Sequence, residues 1–237
     1  MQTLKFDNRE LPYAVKEEMK MLRTNLTFCG EDKKVILFTS VMSDEGKSEC
    51  SVNLCRSLAE LGKTVLLVDC DLRKSVLLYK TEEGRAKWGL AHFLAGQCGP
   101  DDMLYWSGME GFYYIPAAAY PPNPSELLAS KRMGQFLAAV RDQFDYVIVD
   151  APPLGMVVDA AAVAPFCDGS VLLIETGRIP YRMAQNVVEK LKNTGCPILG
   201  TVLNKVGLHK NGTYSRYYSG YYSKYSGYYR KYQKEYR

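Results

Sequence analysis

A glycine, a lysine and a serine in one loop, and three aspartates at the ends of apolar runs, are the residues of this chain best suited to phosphate chemistry. Gly46-Lys47-Ser48 closes the loop SVMSDEGKS, between the apolar run Val35 to Thr39 and a helical stretch. A helix start presents free amides to an anion, a lysine there reaches the β- and γ-phosphates, and a serine hydroxyl holds magnesium. The strict spacing GxxxxGK[ST] is not met, because Val41 stands where the first glycine belongs. The run Val65-Leu66-Leu67-Val68 delivers Asp69 and, past Cys70, Asp71; alternation turns both to one side if the extended backbone persists. Tyr146-Val147-Ile148-Val149-Asp150 repeats the pattern with one carboxylate, as a Walker B strand does when it holds magnesium directly or through water. A single such acid is equally well a solvated carboxylate where a strand meets a loop. Three in one chain point to a common ligand, a polyphosphate with Mg2+.

Apolar periodicity shows what positions these groups. After a short extended arm, Val15, Met19, Leu22 and Leu26 give a first helix over residues 12–28 with a charged outer face. Beyond the glycine loop, Val52, Leu54, Leu58 and Leu61 fit a helix stopped by Gly62. Thr64 to Val68, Tyr146 to Val149, Val171 to Ile174 and Ile198 to Leu203 are further apolar strands, with helical segments near 88–95, 125–142, 158–166 and 181–194. Strands alternating with helices predict an α/β fold, a mostly parallel sheet covered by helices on both faces, with ligands at the carboxyl ends of its strands.

Composition sets the wider frame. A chain of 237 residues, 47% hydrophobic and 24% charged, buries one core, so residues 1–206 are expected to form one domain. No apolar run has the length of a membrane span and the start MQTLKFDNRE has no signal-peptide core, which predicts a soluble, cytoplasmic protein. Seven cysteines without a CxxC pair read as reduced, mostly buried thiols. Cys70, between two acids, is expected to be unreactive. The net charge of +4 conceals a division: residues 207–237 hold seven basic residues and one acid, whereas the rest of the chain is slightly acidic. That tail carries ten of the eighteen tyrosines and, apart from Leu208, no large aliphatic residue. It cannot bury enough surface to offset the entropy of ordering and is expected to be disordered.

Taken in order, the glycine loop, VLLVDCDLR, PPNPSELL and VIVDAPP, followed by a tyrosine-rich end, resemble the bacterial tyrosine kinases (BY-kinases) of capsule and exopolysaccharide synthesis. The most specific segment is Leu67-Val68-Asp69-Cys70-Asp71-Leu72-Arg73, the Walker A′ pattern of that P-loop family. The resemblance implies ATP and Mg2+, with Lys47, Asp69 and Asp71 catalytic, Gly46, Lys47 and Ser48 on the nucleotide, and Ser48, Asp69 and Asp150 at the metal. Asn204, ending the last strand, is either an adenine contact or a turn residue. The family's autophosphorylation falls on a tail cluster, here Tyr217, Tyr218, Tyr221, Tyr222, Tyr225, Tyr228, Tyr229 and Tyr232. It further implies a membrane-embedded polysaccharide co-polymerase adaptor that recruits and activates the kinase at the inner face of the membrane, a protein-tyrosine phosphatase, and a homo-oligomeric ring. The ring motif Glu-x-x-Arg-x-x-Arg appears as Glu17, Lys20 and Arg23, with a lysine that keeps the charge but loses the bidentate fork. The family loop Pro-Gly-Glu-Gly-Lys-Ser begins here with Ser43 and Asp44, and aspartate tolerates positive φ better than most residues.

Phosphoryl transfer asks a protein mainly for positioning and charge neutralisation. A phenol with a pKa of about 10 needs its proton accepted, and Asp71 is the favoured base, with Asp69 and Asp150 nearer the metal. Each tail phosphate adds about −1.5 to −2, so roughly three or four cancel the tail's positive charge. Two other readings compete: a P-loop ATPase of the partitioning or septum-positioning type, and a tail that stacks on single-stranded nucleic acid. Met42 and Ser43 occupy the place of the lysine those ATPases carry near the start of the loop, and the tyrosine tail favours the kinase without nucleic acid.

Overall fold

The computed structural model describes residues 2–7 and 10–206. In chain order the elements are β1 (Gln2–Thr3), β2 (Lys5–Phe6), α1 (Tyr13–Phe28), β3 (Val35–Ser40), α2 (Lys47–Ala59), β4 (Val65–Asp69), β5 (Thr81–Glu83), α3 (Leu90–Leu94), β6 (Tyr105–Trp106), β7 (Phe112–Ile115), α4 (Pro124–Leu128), α5 (Lys131–Arg141), β8 (Tyr146–Asp150), α6 (Asp159–Val163), β9 (Gly169–Glu175), α7 (Tyr181–Asn193) and β10 (Ile198–Asn204). Among the described residues, eight strands form one sheet in the order β1-β6-β7-β4-β8-β3-β9-β10. Within that sheet only the β6–β7 pairing is antiparallel, and β2 and β5 pair antiparallel in a separate two-stranded sheet. The mostly parallel α/β sheet expected from the apolar runs is present.

The central strands are buried on both faces, and successive side chains feed two cores. Leu37, Leu66, Val68, Val147 and Val149 pack with Phe136, Leu137 and Val187 from α5 and α7. Ile36, Phe38, Leu67 and Ile148 point the other way, onto Leu54, Cys55 and Leu58 of α2. Gly62 ends α2 at φ 79°, its N–H on the Ala59 carbonyl, as the sequence predicted.

Two departures have local causes. The helix expected over 125–142 is two, because Ser130 takes an extended backbone and its hydroxyl accepts from the Met133 N–H, capping α5. The segment 158–166 tightens after α6 into a 3-10 turn, Ala164–Phe166, at Pro165, which has no N–H to continue the helix. Within the expected extended arm, Gln2 and Thr3 pair with β6 and Lys5 and Phe6 pair with β5. β5, β6 and β7 carry too few residues for a period to show. No helix of the described residues is long and apolar enough to cross a membrane. The tail expectation for residues 207–237 lies outside the described residues.

Candidate active site

The phosphate loop leaves β3 at Ser40 and returns into α2 at Lys47. Two left-handed residues make the turn, Asp44 at φ 63° and Gly46 at φ 88°. Asp44 thus adopts the conformation for which aspartate is tolerated in place of the family's glycine. A side chain at Gly46 would be strained at that φ, and its Cβ would sit 2.3 Å from Asn204 Nδ2. No side chain caps α2, so the first-turn amides are available to an anion, with the helix dipole favouring negative charge. Glu45 is buried within the loop: its Oε2 accepts from the Met42 N–H at 2.7 Å and its Oε1 from the Glu175 N–H at 2.9 Å. Asn204 donates its Nδ2 to the Glu45 carbonyl at 2.8 Å, so in this structure it braces the loop.

Lys47 emerges from the loop into a buried acidic corner. Its Nζ lies 2.9 Å from Asp150 Oδ1 and 3.1 Å from Ser48 Oγ. Ser51 donates to the same Asp150 oxygen at 3.1 Å. Asp150 Oδ2, also buried, has no hydrogen-bond partner. An unpartnered carboxylate oxygen beside a lysine and a serine at a helix start fits a divalent cation or its water. No group of three or more His, Cys, Asp or Glu with metal-ligand geometry occurs among the described residues. Magnesium takes one or two carboxylates and completes its shell with water and substrate phosphates.

Strand register puts Asp69 of β4 opposite Asp150 of β8. Asp69 is fully buried; Ser75 Oγ and Tyr114 Oη (3.3 Å) donate to its Oδ2, and the Asp71 N–H donates to its Oδ1 at 3.1 Å. Burial first, and the Asp150 charge second, push its carboxyl up to about 7, against the Ser75 hydrogen bond. β4 stops at Asp69, so the extension that would align the two acids does not persist. Asp71 is half-buried, and its Oδ1 accepts the N–H groups of Arg73 and Lys74 in a turn. Cys70 is buried, and burial first and Asp69 second hold its thiol well above the usual range, as its neighbours suggested.

The structure therefore gathers Gly46, Lys47, Ser48, Asp69, Asp71, Asp150 and Asn204 at the carboxyl ends of β3, β4, β8 and β10. Arg73 makes an ion pair: its Nε and Nη2 lie 2.7 and 2.9 Å from the two oxygens of fully buried Asp159, which also accepts from Ser125. Glu17, Lys20 and Arg23 lie on α1, where Lys20 pairs with Glu17 at 2.7 Å and Arg23 donates to the carbonyl and hydroxyl oxygens of Ser57 on α2. The eight tail tyrosines lie outside the described residues. Ser51, Ser75, Tyr114 and Glu175 complete the corner without having been singled out. None sits in a motif, and each arrives through the fold.

The model of the CobQ/CobB/MinD/ParA nucleotide binding domain matches residues 36–219. The Tyrosine-protein kinase CpsD of Streptococcus agalactiae is 36% identical over 226 residues, which are 94% of this chain and 97% of that protein. The Succinoglycan biosynthesis transport protein ExoP of Rhizobium meliloti is 34% identical over 78% of this chain, which spans about a quarter (24%) of its length. Among solved structures, the kinase domain of the Escherichia coli tyrosine kinase ETK superposes with a TM-score of 0.76 at 32% identity, covering 80% of this chain and 74% of that one. The septum site-determining protein MinD of Pyrococcus horikoshii, complexed with Mg-ADP, reaches a TM-score of 0.64 at 24% identity over 75% of this chain and 72% of that one, a likeness of fold. With identity concentrated on the kinases and the phosphate loop, Lys47 and the strand-end acids in place, this chain belongs to the CobQ/CobB/MinD/ParA nucleotide-binding family and, within it, to the bacterial tyrosine-protein kinases.

Proposed function

We propose that this kinase moves the γ-phosphoryl group of ATP onto tyrosines of its own residues 207–237, and thereby regulates the synthesis and export of a capsular or extracellular polysaccharide. The observation that carries the reading is the buried corner in which Lys47 and Ser48 face Asp150, one of whose oxygens is unpartnered. The amides of Gly46, Lys47 and Ser48 hold the phosphates, and Lys47 exchanges Asp150 for a phosphate oxygen. Ser48, Asp150 and Asp69 would hold magnesium, which would supply charge neutralisation at the β- and γ-phosphates. The acceptor phenol oxygen forms a bond to the γ-phosphorus as the bridging oxygen leaves on ADP, and its proton passes to a carboxylate. Asp71 is the acid with an accessible face, whereas Asp69 is enclosed by Ser75 and Tyr114.

A tail rooted beside β10 reaches a neighbouring subunit at high effective concentration, which suits transfer within a homo-oligomeric ring built through Glu17, Lys20 and Arg23 on α1. The likeness to part of ExoP supports a membrane-embedded polysaccharide co-polymerase as the adaptor that recruits this chain to the inner face of the membrane; a protein-tyrosine phosphatase resets it. Labelled ATP and magnesium test the reading, with Lys47→Met and a chain lacking residues 207–237 as controls. Label on tyrosine that both changes abolish is expected; label that survives in the Lys47→Met chain would overturn it.

A further inference from the structure

We propose that Glu175, Arg178 and Lys205 are positioning residues that hold the phosphate loop in its nucleotide-binding form. The proposal rests on the nucleotide site described above and concerns groups that stand behind the loop. Three consecutive loop carbonyls are each gripped from the carboxyl ends of β9 and β10. Arg178 Nη1 donates to the Ser43 carbonyl at 3.3 Å, Lys205 Nζ to the Asp44 carbonyl at 2.5 Å, and Asn204 Nδ2 to the Glu45 carbonyl at 2.8 Å.

In a trans peptide the N–H points opposite to the C=O of the same unit. Drawing the carbonyls of residues 43, 44 and 45 towards β9 and β10 therefore turns the amides of Asp44, Glu45 and Gly46 the other way. Successive amides turned to one side form an anion-binding nest. The two cations have a common anchor, because Glu175, itself buried, lies 3.0 Å from Arg178 and 2.9 Å from Lys205. Its own N–H is held by Glu45 Oε1 at 2.9 Å, which closes the circuit back into the loop. Lys205 accepts a left-handed backbone, φ 56°, that a lysine rarely adopts, and that conformation accompanies its reach to both partners.

Calorimetric titration of the full chain with MgATP tests this in Lys205→Met, Glu175→Gln and Lys205→Arg, alongside amide exchange of residues 44–46 in the nucleotide-free protein. Lys205→Met and Glu175→Gln are expected to weaken MgATP binding about tenfold and to speed exchange at those amides. In turnover, KM for ATP is expected to rise by a larger factor than kcat falls. Lys205→Arg, which keeps two donors, should recover most of the affinity. A merely structural role lowers the melting temperature but leaves loop exchange and nucleotide affinity where they were. Folded Lys205→Met and Glu175→Gln chains that bind MgATP within twofold of the unaltered protein would overturn the proposal. An unaltered chain that binds no MgATP would overturn it together with the nucleotide site. One that binds MgATP but labels no tyrosine would sink the kinase reading alone, since binding and exchange still decide the clamp.

Discussion

Asp69 and Asp150 stand side by side on adjacent strands, and the protein meets the cost of two buried carboxylates by pairing one with Lys47 and raising the pKa of the other. The linkage has a definite sign. Asp69 moves from 3.8 to about 7 on folding, so the native state holds a proton that the unfolded chain has released between those values. Stability from this group is fully present below the lower value and is lost as pH rises to the upper one. Thermal melts of the nucleotide-free protein from about pH 5 to about pH 8 should show Asp69→Asn gaining on the unaltered chain as pH rises. A constant difference would speak against a raised Asp69. If Asp69 holds the metal as proposed, magnesium nucleotide should show the opposite dependence and bind more tightly as pH passes about 7. Lys47→Met leaves Asp150 buried without its cation, at a cost of about 3 kcal/mol, part of which Asp150→Asn should restore in the double variant. The four residues of the candidate site, Lys47, Ser48, Asp69 and Asp150, stood out in the sequence because each borders an apolar run or a glycine, and the fold brings them together. Ser51, Ser75 and Tyr114 did not stand out, since Tyr114 reaches Asp69 only through the pairing of β4 with β7.

Loops carry the chemistry here, and the elements on either side decide their shape. Gly46→Ala must place a methyl group against Asn204 at a positive φ, so it should abolish nucleotide binding in a titration while leaving the sheet's circular dichroism in place. The turn after β4 is tied to α6 by the Arg73 fork on Asp159, and to α4 through Ser125. Because Asp159 is fully buried, Arg73→Ala should cost about 2 kcal/mol in denaturant unfolding, discounted for the exposed side of the arginine, and Arg73→Lys should restore only part. Equal stability of the alanine variant would show that the fork does not hold the turn. The glycine stop of α2 and the long strands could be read from periodicity alone. The break at Ser130 and the strands β5, β6 and β7 could not, because a capping serine looks like any surface serine and two to four residues show no period.

At the scale of the molecule, the central strands β3, β4 and β8 bring Lys47's loop, Asp69 and Asp150 together at the carboxyl end of the sheet, the end where the alternation of strands and helices placed a ligand. Assembly is a separate matter, because Arg23 is already engaged with Ser57 and Lys20 with Glu17. On the proposed tail phosphorylation, sedimentation before and after incubation with ATP should show a smaller particle, as added charge cancels the basic residues of 207–237; an undiminished oligomer carrying phosphotyrosine would count against charge-driven release. Diffraction from crystals of the chain with magnesium and a non-hydrolysable ATP analogue addresses the site itself. The γ-phosphate should lie within hydrogen-bond reach of Lys47 Nζ, with the metal against Ser48 Oγ and Asp150 Oδ2 and the Lys47 to Asp150 pair opened. A nucleotide seated elsewhere, with that pair still closed, would contradict the assignment of this corner as the catalytic one.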